Sequence, residues 1–385
     1  MTRFFCPGRI DLAGNHASLH RGRVLAAAMD RGITAEAEPN DEGKVRIFCE
    51  GFDPIEVDLS RLWPDEKEQG DPTALVRGMA GELAEILPEL RGFDAYLFNG
   101  LSPRRGMSSS SAFCVLIGFI LSTFSGVELP AAELAHAAQK AEARWFGKVS
   151  GPSEPLVCAL GGGVYVDIQE SKVRPVDCDF DSLGLALCLT DTGRGVEADR
   201  VYAQIAADMA EVAEVFGVPF LAKVRGPVFD EEWQSRQTDP RWITARHFFD
   251  ETWRVSSMAD ALGLHDGQRF MELMNQSGRS SEKLLRGVWT DMGMEGLIQG
   301  LDSSETLLAG RGAWRAHSGG FGGYIQALMP EEYFDLYQLN MDRLFGKGAC
   351  MRIHTSTRGV CLAQQDKILF RENRGFPEEA ASLLD

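Results

Sequence analysis

The stretch Pro103-Arg-Arg-Gly-Met-Ser-Ser-Ser-Ser-Ala-Phe113 runs straight into an almost wholly apolar segment at 114–124. A polar loop that feeds a buried helix constrains the fold more than any other feature of the chain. The first backbone N–H groups of such a helix lack internal partners and carry the positive end of its dipole, so the junction can cradle a phosphate. Four serine hydroxyls and two arginines add groups for anion or Mg²⁺ contacts. The same pattern suits a multi-serine N-cap before a core helix, and the loop alone leaves both readings open.

At 385 residues the chain exceeds the size at which one hydrophobic core stops growing, so two domains are expected, 1–182 and 183–385. The polar stretch at 177–182 serves as the connection. Apolar residues at 44% and charged residues at 25% match ordinary soluble usage and argue against a disordered, fibrous or membrane class. A net charge of −17 repels nucleic acid and anionic lipid surfaces, and no long Lys/Arg run overrides it. A phosphate site in such a field must be built locally from N–H groups, Arg and Mg²⁺.

The N-terminus lacks the apolar core of a signal peptide, and the longest apolar run, 112–124, is too short to span a bilayer. A cytoplasmic location is the expectation. Eight cysteines lie scattered in apolar strings without C-x-x-C or Cys/His ligand spacing, which predicts reduced core residues and no zinc site.

Periodicity predicts helices at 73–91, 112–124 and 130–146 with short strands at 45–49 and 95–98. Strands at 164–168 and 185–190 follow. Helices at 198–215, 240–263, 267–287 and 293–308 come next, then a Gly-rich turn at 318–323, a strand, a helix and a closing strand at 350–354. This order fits an α+β class in both halves better than a doubly wound sheet.

Three further segments carry chemistry. Pro7-Gly-Arg-Ile-Asp-Leu-Ala-Gly-Asn-His-Ala-Ser-Leu-His-Arg-Gly22 packs hydrogen-bonding groups into a Gly-bounded turn. It can read the hydroxyls of a small polar ligand, or be an ordinary polar loop. Gln139-Lys-Ala-Glu-Ala-Arg-Trp-Phe-Gly-Lys-Val-Ser-Gly-Pro-Ser-Glu154 sets one carboxylate on a helix and a second beyond Gly151. Two acids from separate elements can divide the work of holding Mg²⁺ and accepting a proton, or lie on solvated surfaces. Arg315-Ala-His-Ser-Gly-Gly-Phe-Gly-Gly-Tyr-Ile325 allows close backbone approach to a ligand, or simply reverses the chain.

In this order the segments resemble the GHMP kinase superfamily, and within it the galactokinase branch. The family pattern has a Pro-Gly-Arg start with a later Gly-Glu-His-x-Asp, a Gly-Leu-Ser-Ser-Ser-Ala phosphate loop and a late Gly-Phe-Gly-Gly turn. Gln139-Lys-Ala-Glu142, Asp191-Thr-Gly193, Gly217-Val-Pro219, Ala245-Arg-His247 and Leu273-Met-Asn-Gln-Ser277 look galactokinase-like as well, so the resemblance covers nearly the whole chain. It implies a ribosomal-S5-like N-terminal domain and a ferredoxin-like C-terminal domain, with ATP, Mg²⁺ and a small alcohol as cofactor and substrates. By position it implies nucleotide contacts from Arg104, Arg105, Gly106, Ser108, Ser109, Ser110 and Ser111, and Mg²⁺ ligation by Ser110 and Glu142. Arg9 and Glu154 match the catalytic pair. Asn15, His16, Ser18, Gly151 and Tyr202 fall where galactokinases contact sugar.

Four departures stand out. Asn15 and Ser18 replace the Glu and Asp that flank the family's sugar-binding His, Glu154 replaces the catalytic Asp, and the phosphate loop lacks one glycine. The resulting expectation is an ATP-dependent kinase acting on a hydroxyl, the anomeric one, of a galactose-like monosaccharide, with a uronic acid suited by the two lost carboxylates. The alternative is a galactokinase-derived sugar or nucleotide sensor without catalysis. No nucleic-acid or membrane partner is expected, and the chain is expected to be a monomer or weak homo-oligomer.

Overall fold

Two long strands open the chain in the computed structural model, which describes residues 1–103, 105–148 and 151–363. They are β1 (Thr2–Ala13) and β2 (Arg23–Pro39). Among the first four residues of β1 only Phe4 is buried, and the last eight form a continuous buried run that includes Arg9 and Asp11. Polar residues inside a fully buried strand break the alternation that ordinarily marks one.

The chain continues through β3 (Lys44–Cys49), β4 (Ile55–Asp58), α1 (Pro72–Ala84), β5 (Phe93–Asn99), α2 (Ser109–Phe124), α3 (Ala131–Lys140) and α4 (Ser153–Leu160). Residues 1–10, 27–163 and 356–363 belong to one compact unit, and 11–26 with 164–355 to a second. That partition differs from a single cut after residue 182, since the polar turn at 14–22 counts with the second unit.

In the first unit the short strand Cys361–Leu362 lies beside β1, followed by β2, β5, β3 and β4. β2 and β5 pair antiparallel from Ile33 opposite Asn99 to Pro39 opposite Phe93, whereas β3 and β5 run parallel. α2 packs against α1, α3 and α4. It is buried on nearly every side from Ser111 to Ser122, as its apolar composition requires. α1 begins at Pro72 behind Asp71, whose carboxylate accepts the Thr73 N–H at 2.8 Å. It stops at Ala84 rather than reaching 91, because Pro88 disfavours helix in its own vicinity.

The helix expected at 130–146 is α3 followed by a π turn, Ala141–Phe146, that closes on Gly147 in the left-handed region. α4 was not expected from the sequence. Pro155 lies in its first turn, where a missing N–H costs nothing.

The second unit holds the paired strands β6 (Gly163–Asp167) and β7 (Lys172–Val176) and a four-stranded antiparallel sheet. That sheet draws on β8 (Leu185–Asp191), β9 (Ala313–Ala316), β10 (Tyr324–Pro330) and β11 (Cys350–Ile353), in the order β11, β8, β10, β9. Its helices are α5 (Asp199–Val215), α6 (Gly226–Trp233), α7 (Pro240–Gly263), α8 (Gly267–Asp291), α9 (Glu295–Leu308) and α10 (Glu331–Phe345). Met209, Phe229, Trp242, Phe248, Trp289 and Phe321 form its larger core.

All cysteines are free, and only Cys49 is not buried. Among the described residues no helix is long and apolar enough to cross a membrane.

Candidate active site

The serine loop does not cap α2. Ser108 precedes the helix with φ 55° and makes no side-chain cap bond, so the chain enters α2 through two positive-φ residues, Gly106 and Ser108. The hydroxyls of the first helical turn are used sideways instead. Ser110 Oγ donates to Glu142 Oε1 at 2.5 Å, and Ser111 Oγ lies 3.0 and 2.9 Å from the two Glu142 oxygens and 3.3 Å from Glu154 Oε2. Ser109 opens the helix with its N–H groups uncommitted to any intrahelical bond. Arg105 and Gly106 stand in the turn just before it. Arg104 lies outside the described residues.

Glu142 is fully buried in the π turn, and its burial is possible because hydroxyls and a cation meet it. That cation is Lys148. The left-handed Gly147 (φ 82°) turns the chain back, the Lys148 N–H bonds the Glu142 carbonyl at 2.9 Å, and Nζ reaches Glu142 Oε1 at 3.0 Å, Glu154 Oε2 at 2.7 Å and Ser110 Oγ at 3.1 Å. Burial favours the neutral amine, but Glu154 and Glu142 outweigh it and raise the Lys148 pKa above its usual range. Arg9, 4% exposed on β1, sits on the other side of Glu154. Its Nη1 donates to Ser153 Oγ at 3.2 Å, its Nη2 lies 4.0 Å from Glu154 Oε1, and its backbone N–H holds the Met107 carbonyl of the serine loop at 3.2 Å. One cluster thus joins Arg9, Ser110, Ser111, Glu142 and Glu154, with Lys148 and Ser153 added. Gly151 belongs to the same unit, just before α4.

In the second unit Asn15 and His16 are buried on a tight turn. Gly14 (φ 100°) starts it, where a Cβ would lie 2.5 Å from the Arg23 carbonyl, and His16 itself has φ 63°. The turn is pinned by buried groups. Glu251 Oε1 accepts the Gly14 N–H at 3.0 Å and the Ser277 hydroxyl at 2.7 Å, His247 Nε2 bonds the Asn15 carbonyl at 3.1 Å, and Arg315 Nη2 donates to the Asp11 carbonyl at 3.0 Å. Asn15 is further held by Ser281 and Arg315, each at 3.4 Å.

His16 is different, because its buried Nε2 has no hydrogen-bond partner among the described residues. Tyr202 on α5 lies 5.6 Å from it, ring centroid to centroid, and donates to the Ser318 carbonyl at 3.2 Å. Trp289 fixes the Gly319 carbonyl at 3.1 Å. A Cβ on Gly319 (φ 81°) would come 2.9 Å from the His16 ring, so the Gly-rich turn keeps this spot open. Ser18 follows on a short 3-10 turn and is half-buried, its carbonyl accepting the Arg21 N–H at 3.2 Å.

Burial, with repulsion from His247, pushes the His16 pKa down to about 3, against the opposing pull of Glu251 and Asp11. Burial lowers His247 too. His16 is therefore neutral in the folded protein, while in the unfolded chain it takes up a proton below about pH 6.5. The unfolded state binds more protons from about 6.5 downward, and stability falls on acidification by about 1 kcal/mol per pH unit from His16, with His247 acting in the same direction. We expect Tm to drop steadily between pH 6.5 and 4.5 in salt-matched thermal melts. A flat profile there would contradict a neutral buried His16.

Lys148, Ser153, Glu251 and Arg315 were not singled out from sequence. A glycine followed by a lone Lys after a carboxylate-bearing helix is the one signal that could have pointed to Lys148. The buried acid Glu251 on α7 and the buried base Arg315 on β9 gave none.

These features match known proteins. Residues 74–162 fit the family model for the GHMP kinases N terminal domain, and residues 2–39 fit the galactokinase galactose-binding signature. A galactokinase of Chloroflexus aggregans is 30% identical over 348 residues, 86% of this chain and 84% of that one. A galactokinase of Actinobacillus pleuropneumoniae is 26% identical over 338 residues, 85% of each. Among solved structures, Lactococcus lactis galactokinase complexed with galactose superposes with a TM-score of 0.79 at 22% identity, covering 93% of this chain and 94% of that one. A mevalonate kinase gives 0.67 at 15% identity, covering 93% and 100%.

Fold and site define an α+β small-molecule kinase. The chain belongs to the GHMP kinase superfamily, in its galactokinase-like branch. It is a sugar kinase, a phosphotransferase with an alcohol acceptor, of a superfamily that takes its phosphate from ATP.

Proposed function

We propose that the protein transfers the γ-phosphoryl group of ATP to the anomeric hydroxyl of a galactose-like monosaccharide. The carrying observation is the cluster in which Arg9 and Ser153 flank Glu154 while Ser110, Ser111 and Glu142 converge from α2 and the π turn. Glu154, 24% exposed, orients the acceptor hydroxyl and takes its proton. Arg9 offsets the charge that grows on the transferred phosphoryl group. The free N–H groups at the start of α2, with Arg105, bind phosphate oxygens.

Ser110 and Glu142 offer hard oxygen donors and would hold Mg²⁺. Among the described residues no three His, Cys, Asp or Glu converge to hold a metal by themselves. Bound there, the ion would neutralise phosphate charge.

Asn15, His16, Ser18 and Tyr202 read the remaining sugar hydroxyls, with Gly151 as a backbone contact. The partnerless His16 Nε2 supports this part of the reading. Asn15 and Ser18 carry no charge to repel a carboxylate, which favours a uronic acid among the galactose-like sugars. The same reading takes the protein as cytoplasmic, monomeric or weakly homo-oligomeric, and without nucleic-acid or membrane partners.

The test is ADP release across a sugar panel that includes galactose and galacturonate, with Glu154→Ala as control. We expect turnover on a galactose-like sugar that the variant lowers by about a hundredfold or more. Turnover of galactose with none of galacturonate removes the uronic acid. No turnover with any sugar, despite measurable ATP binding, favours a sensor.

A further inference from the structure

The oxygen donors that suit a divalent cation already surround a cation of the chain's own. Lys148 Nζ lies within 3.1 Å of Ser110 Oγ, Glu142 Oε1 and Glu154 Oε2. Two of these three groups are those assigned to Mg²⁺, and the third is the carboxylate assigned to the acceptor proton. An ammonium and a divalent ion repel each other, and a Glu142 oxygen that accepts the ammonium N–H cannot point the same lone pair at a metal.

We propose that Lys148 is a tethered counter-ion that occupies the divalent-cation seat in the metal-free protein and must leave it when a metal binds. The inference rests on the reading of Ser110 and Glu142 as cation ligands. The tether is local: Gly147 turns back in the left-handed region and the Lys148 N–H is fixed to the Glu142 carbonyl at 2.9 Å. Departure therefore needs only rotation of the side chain, which is 31% exposed and has a path to solvent. In the seat, the ammonium compensates two carboxylates, one of them wholly buried. Out of it, Glu154 gives up its 2.7 Å ion pair with Nζ, while Arg9 stays 4.0 Å from its other oxygen. The entry of a metal and the departure of Lys148 from Glu154 are thereby one event.

The readout is metal binding to the nucleotide-free protein, followed by loss of the free Mn²⁺ EPR signal. Lys148→Met and Lys148→Gln should bind Mn²⁺ at least about tenfold more tightly than the wild type, a gain of about 1.4 kcal/mol, while Lys148→Arg stays near wild type. In the wild type, saturating Mn²⁺ or Mg²⁺ should raise acylation of the Lys148 amine several-fold by mass spectrometry, a measurement that needs no variant to fold. Equal Mn²⁺ affinities with unchanged acylation would overturn the role of Lys148. If Glu142→Gln also leaves Mn²⁺ binding unchanged, the cation seat itself is misassigned, and the proposal falls with it.

Discussion

Arg9→Ala lowers kcat for sugar phosphorylation by about a thousandfold or more, with ATP affinity changed far less. Arginines that meet a transferred phosphoryl group contribute about 10³–10⁵ in rate, because the guanidinium acts on charge that exists only in the transition state. On the proposed reading Arg9 does this from its buried place on β1, bonded to Ser153 and near Glu154. Arg9→Lys should recover little of the loss, since an ammonium cannot serve Ser153 and an incoming phosphate with one planar fork. Initial rates of ADP release and calorimetric ATP binding, with Tm as a check on folding, measure the three quantities. A loss below tenfold in a folded variant would remove Arg9 from the chemistry. A parallel loss of ATP affinity would make it a binding group, as it would if the Met107 carbonyl it holds at 3.2 Å needed the whole residue to set the serine loop.

Much of the fold was legible where one physical term dominates. The apolar run at 114–124 has no solution but burial, and α2 is buried as expected. α5 and α7 follow their periodicity almost to the residue, because Asp239 and Pro240 mark the start of the latter. β1 was hidden because Arg9 and Asp11 interrupt an otherwise buried strand, β2 because exposed Asp30 and Arg31 with Gly32 break its apolar run, and α4 because Gly-Pro and Pro155 look like a loop.

The site divides the same way. Residues tied to a motif, such as Ser110, Glu142 and Glu154, could be placed by order along the chain. The serines' use could not, since capping and carboxylate binding require the same residue type and differ only in the positive φ of Ser108. Lys148 depends on a π turn and one left-handed glycine, neither of which periodicity detects. Glu251, His247 and Arg315 are buried ionisable groups, and sequence alone assigns such residues to solvent.

Those buried groups carry the second large effect: Glu251→Ala destabilises the protein by about 3–5 kcal/mol. Glu251 is wholly buried and held by the Gly14 N–H, the Ser277 hydroxyl and Arg254 Nε at 2.8 Å, with Arg315 at 4.0 Å. Burial alone would raise its pKa, yet Arg254, His247 and Arg315 bring it down to about 2, so it is ionised throughout the usable pH range. Removing it leaves the buried guanidinium groups of Arg254 and Arg315 without their shared carboxylate, which is far costlier than the loss of the ion pair itself. For a unit of this size the loss corresponds to a Tm lower by about 10 °C.

Glu251→Gln separates charge from hydrogen bonding. Its amide oxygen still accepts from Gly14 and Ser277, so a loss close to that of the alanine variant assigns the effect to charge, and a loss near about 1 kcal/mol assigns it to the hydrogen bonds. Charge is the expected answer, because both arginines remain. Gly14 is the residue that turns the chain into Asn15 and His16, so the surviving folded fraction of either variant should also show a raised sugar KM with the ATP KM little changed. A variant that melts with the wild type would mean that Arg254 and Arg315 find water instead of Glu251.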